Sequence, residues 1–144
     1  MEVITKSARE TQKLGERLSA SLKPGNILAL YGELGSGKTT FIQGLARGLG
    51  VKRRIISPTF VFIRQYSINH KLAKILYHVD LYRINKTSEA QGLGLEEIFT
   101  DELAIVVIEW ADRIKEILPK KRIDIYLDYL EENKRKVNIK GLAK

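Results

Sequence analysis

The sequence predicts an α/β protein with a central, mostly parallel sheet, added antiparallel strands, and helices on both faces. Asn26 to Tyr31 (NILALY) and Ala104 to Ile108 (AIVVI) are continuous apolar runs, the pattern of strands covered on both sides at the centre of a parallel sheet. A helix-period pattern follows the first run across a glycine-rich stretch. From Ile123 onward, apolar and polar residues alternate, which is the period of a strand with one wet face.

Taken in order, Ser7-Ala8-Arg9-Glu10 has capping-box spacing, and Leu14, Leu18 and Leu22 follow at intervals of four, so a helix is expected from Ala8 to Leu22. Pro24-Gly25 ends it, and the NILALY strand follows. Ile42, Leu45, Ala46 and Leu49 mark one face of a second helix that stops at Gly50. Phe60 to Ile68 and Lys74 to Val79 are rich in β-branched and aromatic residues around a polar turn, and so predict a hairpin. Ser88 to Phe99 is weakly helical, AIVVI is a second central strand, and Asp112 to Leu118 is a short helix closed by Pro119. Ile123 to Tyr129, then Val137 and Ile139 beyond a turn at Glu131 to Lys134, predict a C-terminal hairpin. With no linker, repeat or low-complexity stretch, residues 1–144 are expected to form one domain.

At 44% hydrophobic and 29% charged, the composition is that of a globular chain, and its apolar runs are too short for a membrane span. There is no cysteine and no charged leader before an apolar stretch, so the cytoplasm is the expected location. The net charge of +8 suits an anionic partner, although the small clusters at Lys52-Arg53-Arg54, Lys120-Lys121-Arg122 and Lys134-Arg135-Lys136 read equally as solvated surface.

Residues 32 to 39, GELGSGKT, match G-x-x-x-x-G-K-[ST] without deviation. Glycines let successive backbone N–H groups turn inward around a phosphate, and the following helix presents its positive end to the same anion. Lys38 is expected to reach the β- and γ-phosphates, Thr39 to offer its hydroxyl to magnesium, and Thr40 to meet the α-phosphate. Lying between a buried strand and an amphipathic helix, the motif has the setting its mechanism requires and predicts a P-loop NTPase fold.

In such a sheet ligands gather at the carboxyl ends of the strands, so acids there are the candidates for a magnesium partner. Asp80, in His78-Val79-Asp80-Leu81-Tyr82-Arg83, and Glu109, directly after AIVVI, both qualify, and each alone also reads as an ordinary strand-end acid. Ser57-Pro58-Thr59-Phe60 is either a γ-phosphate sensor or a plain turn. Arg83 and Arg113 are candidates for transition-state charge or for surface. Trp110 reads first as core, and His70 and His78 are too far apart in sequence to argue for a metal site.

A guanine-reading Asn-Lys-x-Asp is absent, since Asn85-Lys86-Thr87-Ser88 lacks the aspartate, and ATP is the expected nucleotide. A stand-alone P-loop small-molecule kinase would need a second pocket and a lid, where Ser57 to Val79 reads as a hairpin. A nucleic-acid-binding module using the +8 charge is the third reading, and it requires nucleic-acid binding that falls steeply with salt.

Thr11, Gly32 to Phe41 (GELGSGKTTF), Ser57 to Phe60 (SPTF), His78 to Arg83 (HVDLYR), Gly94-Leu95-Glu96-Glu97 and Ile108-Glu109-Trp110 stand in this order along nearly the whole chain. In these strings and their spacings the sequence resembles the TsaE (YjeE-type) ATPases of bacterial tRNA threonylcarbamoyladenosine biosynthesis. That resemblance implies phosphate binding by Gly35, Ser36, Gly37, Lys38, Thr39 and Thr40, and magnesium held by Thr39 and Glu109. It implies a catalytic set of Lys38, Asp80 and Glu109, Asp80 acting in hydrolysis or in the metal's outer shell, with Thr11 and Arg135 approaching the nucleotide from the sides. It further implies a weak ATPase stimulated by partners: a heterodimer of the threonylcarbamoyl-transferase subunit and its inactive paralogue, reset by ATP hydrolysis. Contact with tRNA would be indirect, through that complex.

Overall fold

The computed structural model of the chain describes residues 1–52, 63–70 and 72–142. Its strands are β1 (Glu2–Thr5), β2 (Ile27–Tyr31), β3 (Ile63–Ser67), β4 (Ile75–Asp80), β5 (Ala104–Glu109), β6 (Ile123–Glu131) and β7 (Lys134–Lys140). They form one seven-stranded sheet in the order β1-β7-β6-β2-β5-β4-β3. The four middle strands β6, β2, β5 and β4 run parallel, and β3, β7 and β1 add antiparallel pairs at the two sides. The expected α/β architecture and both hairpins are therefore present.

Helices α1 (Ala8–Ser19) and α2 (Lys38–Gly48) cover one face, and the short helix α3 (Leu95–Phe99) lies on the other beside 3₁₀ segments at Thr87–Ala90 and Ala111–Ile117. Period two along the strands decides which side chains meet which layer. Leu28 and Leu30 of β2, and Ile105 and Val107 of β5, pack under α1 and α2 with Leu14, Leu18, Phe41, Ile42 and Leu45. Ile27, Ala29, Val106 and Ile108 face Leu95, Ala111 and Ile114 on the opposite side. Burial on both faces is why these two strands read as unbroken apolar runs.

Ser7 caps α1 by accepting from the Glu10 N–H at 3.1 Å, while Glu10 accepts from the Lys6 N–H at 3.0 Å. The helix ends at Ser19 rather than Leu22, yet Leu22 stays buried. α1 and α2 approach closely because glycines stand at their contact: a Cβ on Gly44 would lie 1.8 Å from the Gln12 carbonyl oxygen.

Four further details differ from expectation. β1 was not anticipated. The second helix ends at Gly48, earlier than Gly50. The weakly helical stretch splits into a 3₁₀ turn and α3, separated by Gly92 and Gly94. Ala111–Ile117 is two 3₁₀ turns broken at Ile114 rather than an α-helix. Arg53, Arg54, Ser57-Pro58-Thr59-Phe60 and the first part of the expected strand Phe60 to Ile68 lie outside the described residues. Among the described residues no helix is long and apolar enough to cross a membrane.

Candidate functional site

β2 ends at Tyr31, the loop follows, and α2 begins at Lys38, so the GELGSGKT segment leaves the carboxyl edge of a central strand and enters a helix N-terminus. Gly37 caps α2 at φ 99, a left-handed conformation that disfavours other residues and lets the loop fold over the helix end. Around it lies a cavity of about 460 Å³, lined by Leu34, Tyr82, Arg83 and Trp110 and by nine of the ten phosphate, metal and nucleotide residues expected from sequence. Those nine are Gly35, Ser36, Gly37, Lys38, Thr39, Thr40, Asp80, Glu109 and Arg135; the tenth, Thr11, lines only a neighbouring recess of about 60 Å³, together with Gly37, Thr40 and Arg135.

Lys38 is 5% exposed. Its ammonium donates to the Gly32 carbonyl and to the Glu33 carbonyl (3.2 Å), and it sits 4.1 Å from the centre of the Trp110 ring. Burial lowers the Lys38 pKa, opposed by the charges of Glu109, Asp80, Glu33 and Asp112. No carboxylate lies within ion-pair distance of it among the described residues. A cation held by carbonyl oxygens and an indole face, beside a helix N-terminus, matches an anionic phosphate. The Ser36 hydroxyl, buried and without a partner among the described residues, adds another donor to the same loop.

β4 and β5 are in register so that Asp80 and Glu109, the last residue of each strand, lie side by side. Both belong to the face covered by α1 and α2, two residues beyond His78 and Val107 respectively. Asp80 Oδ1 accepts from the Tyr82 N–H at 3.0 Å. Its carboxyl is pushed above the usual aspartate value, first by burial and then by Glu109, against the Tyr82 N–H, His78 and Lys38. Glu109 is 3% exposed and pairs with His78 Nε2 at 2.7 Å. Two carboxylates and a threonine hydroxyl form a hard oxygen set suited to magnesium. Among the described residues no group of three His, Cys, Asp or Glu could hold a metal alone, so a cation here would share its coordination with substrate phosphates, the usual mode for magnesium.

Several side chains take places the sequence did not indicate. Trp110 was expected in the core, but its backbone is left-handed (φ 59) and its ring lines the cavity, against Lys38 and Tyr82, while also touching the apolar layer beneath β5. Arg113 was a candidate for transition-state charge. Instead its guanidinium donates to the carbonyls of Tyr82 (3.1 Å) and Ile84 (2.6 Å) and lies over the Trp110 ring, clamping the loop after β4. The Thr11 hydroxyl contacts Thr5 Oγ1 at 2.6 Å and the Ser7 carbonyl, joining β1 to α1 behind Gly37. Arg135 reaches the cavity from β7, its guanidinium over Tyr129, with Nε unpartnered among the described residues. His78 and Tyr82 were missed; for His78 the available signal was its spacing of two from Asp80, which puts both on one face of a strand.

A strand–glycine loop–helix with a buried lysine, facing two strand-end acids, defines a P-loop nucleotide-binding protein. The family model described as "Threonylcarbamoyl adenosine biosynthesis protein TsaE" matches residues 5–137. With that match over most of its length, the chain belongs to the TsaE family. It is 38% identical over 139 residues to the tRNA threonylcarbamoyladenosine biosynthesis protein TsaE of Bacillus subtilis (strain 168), covering 96% of this chain and 84% of that one. The protein of the same name from Treponema pallidum (strain Nichols) is 33% identical, with 96% and 99% covered. The crystal structure of Bacillus subtilis YdiB superposes with a TM-score of 0.81 at 33% identity, over 99% of this chain and 86% of that one. The resemblance expected from the motifs is borne out. The kinase alternative gains no support, since both relatives named are tRNA threonylcarbamoyladenosine biosynthesis proteins.

Proposed function

We propose that this chain, working as one domain in the cytoplasm, is a magnesium-dependent ATPase that serves tRNA threonylcarbamoyladenosine biosynthesis. The observation that carries the reading is Lys38, a buried cation at the P-loop facing the adjacent carboxyl groups of Asp80 and Glu109, in a chain of this family.

In this reading the loop N–H groups from Gly35 to Thr40 hold the phosphates, and Lys38 leaves the Trp110 face to meet the β- and γ-phosphates. Thr39 and Glu109 would hold magnesium, which supplies charge neutralisation at the phosphate oxygens. Asp80, whose carboxyl binds a proton more readily than an exposed aspartate, orients the attacking water and accepts its proton. The water oxygen bonds to the γ-phosphorus, the bond to the β-phosphate oxygen breaks, and ADP and phosphate leave. Arg135, with Thr11 behind Gly37, forms the opposite wall against the nucleotide.

Membership of this family favours work on a partner over transfer to a small acceptor. The partner in this reading is the heterodimer of the threonylcarbamoyl-transferase subunit and its inactive paralogue, with tRNA contacted through that complex. Steady-state ATP hydrolysis by the purified chain, with and without that heterodimer, tests it. The expected outcome is slow turnover alone and faster turnover with the heterodimer; equal rates together with no physical association would sink the reading.

A further inference from the structure

The nucleotide site as described leaves one buried polar group without a task. His78, on β4, is 0% exposed, and its Nε2 stands 2.7 Å from Glu109 Oε2. The sheet builds this contact. His78 pairs in register with Val107, and Glu109 is two residues further on the same face of β5, the diagonal position that long side chains can span. A carboxylate that ligates a cation can only accept, and in that role Nε2 is the donor of this bond, whose length of 2.7 Å lies in the range of about 2.7–2.9 Å found for charge-assisted bonds. Nδ1 has no partner among the described residues, so the ring is tied on one side only, to Glu109. The other carboxylate oxygen, Oε1, has no hydrogen bond among the described residues, and Glu109 lines the cavity.

We propose that His78 is a positioning residue of the nucleotide site: by holding Glu109 Oε2 it fixes the carboxylate so that Oε1 serves the cation accompanying the triphosphate. This rests on the reading of Glu109 as a magnesium ligand. A glutamate side chain has three rotatable bonds, and anchoring one oxygen removes that freedom before the cation arrives. Outer partners of ligating carboxylates act in this way, and their loss typically lowers metal affinity by about 10–100-fold.

The test measures ADP affinity of the full chain twice, in EDTA and in saturating magnesium, and takes the ratio as the metal's contribution. In His78→Leu the ratio should fall about tenfold or more while affinity in EDTA is unchanged. His78→Gln, whose amide N–H reaches near the place of Nε2, should keep the ratio within about threefold of the parent, and His78→Asn, too short to reach Glu109, should behave like the leucine variant. Glu109→Gln separates the two levels of the argument. If it leaves the ratio intact, Glu109 is no magnesium ligand and the reading beneath falls. If Glu109→Gln abolishes the ratio but His78→Leu preserves it, only the role of His78 is overturned. Equal weakening in EDTA and magnesium would mark a merely structural histidine and also overturns it. Should the leucine variant fail to fold, the glutamine and asparagine variants decide, since glutamine losing as much as asparagine refutes the proposal.

Discussion

The two walls of the nucleotide cavity are built on opposite plans. Asp80 and Glu109 stand at the ends of central parallel strands, fixed by sheet register and backed by buried side chains. Arg135 and Thr11 come instead from the β6–β7 hairpin and the first turns of α1, elements at the side of the sheet. The two carboxylates are placed side by side by the register of buried parallel strands. Arg135 and Thr11 belong to parts whose placement depends on helix packing and on strands with one wet face. The acid wall should therefore control turnover, and the basic wall affinity.

The largest effect expected is in Glu109→Gln, where loss of the carboxylate should reduce hydrolysis about 100-fold, equivalent to roughly 3 kcal/mol, with nucleotide affinity in EDTA retained. Steady-state phosphate release together with ADP titration checks it, and a change confined to affinity would erase the distinction between the walls. Next is Gly44→Ala. The new methyl meets the Gln12 carbonyl and forces α1 outward, which should cost about 1–3 kcal/mol in urea unfolding, beyond any gain in helix propensity. Because α1 carries Thr11, the Michaelis constant should rise more than turnover falls. An unchanged unfolding midpoint would mean the helices separate without resistance.

Asp80→Asn sharpens the comparison from the acid side. The folded state holds the Asp80 proton above the ordinary value of 3.8, so between the two values it binds more protons than the unfolded chain, and stability falls as pH rises through that window. Replacing Asp80 by asparagine removes the ionised form while keeping an oxygen for the Tyr82 N–H. The melting temperature without nucleotide or metal should exceed the parent's at pH 7, and the difference should close as pH falls below about 4. A variant less stable than the parent at pH 7 would refute this. The smallest effect is expected for Arg135→Ala, a loss of about fivefold in nucleotide affinity with turnover kept, given that the residue is half-buried on a strand at the side of the sheet. Equilibrium titration with ADP measures it.

The acid wall was legible in the sequence because its physics is local. An apolar run ending in a carboxylate already states burial, direction and chemistry, as AIVVI followed by Glu109 does. The phosphate loop is equally local, with every fixed residue type answering to a backbone or charge requirement within eight positions. Helix packing was not legible: Gly15 and Gly44 give no periodic signal, although they set how near α1 comes to α2. β1 escaped notice because its four residues include a single fully buried position, Thr5. Trp110 misled for a similar reason, since an aromatic residue after a buried strand belongs in the core unless the backbone turns left-handed, and no neighbouring residue announces that turn. His78 stood two residues from Asp80, yet its contact lies across the sheet, and which strand is the neighbour is a fact of topology.

The pairing of β1 with β7 has a bearing on when the protein becomes competent. Thr5 lies opposite Arg135, and Glu2 opposite Asn138, so β1 finds its sheet partner only after β2 to β6 have all been synthesised. The acids on β4 and β5 are translated well before Arg135, and the hydrogen bonds that anchor β1 cannot form until β7 has emerged. The basic wall thus forms late relative to the acids, and a nascent chain halted short of β7 carries the phosphate loop and both carboxylates without the side of the cavity that Arg135 lines.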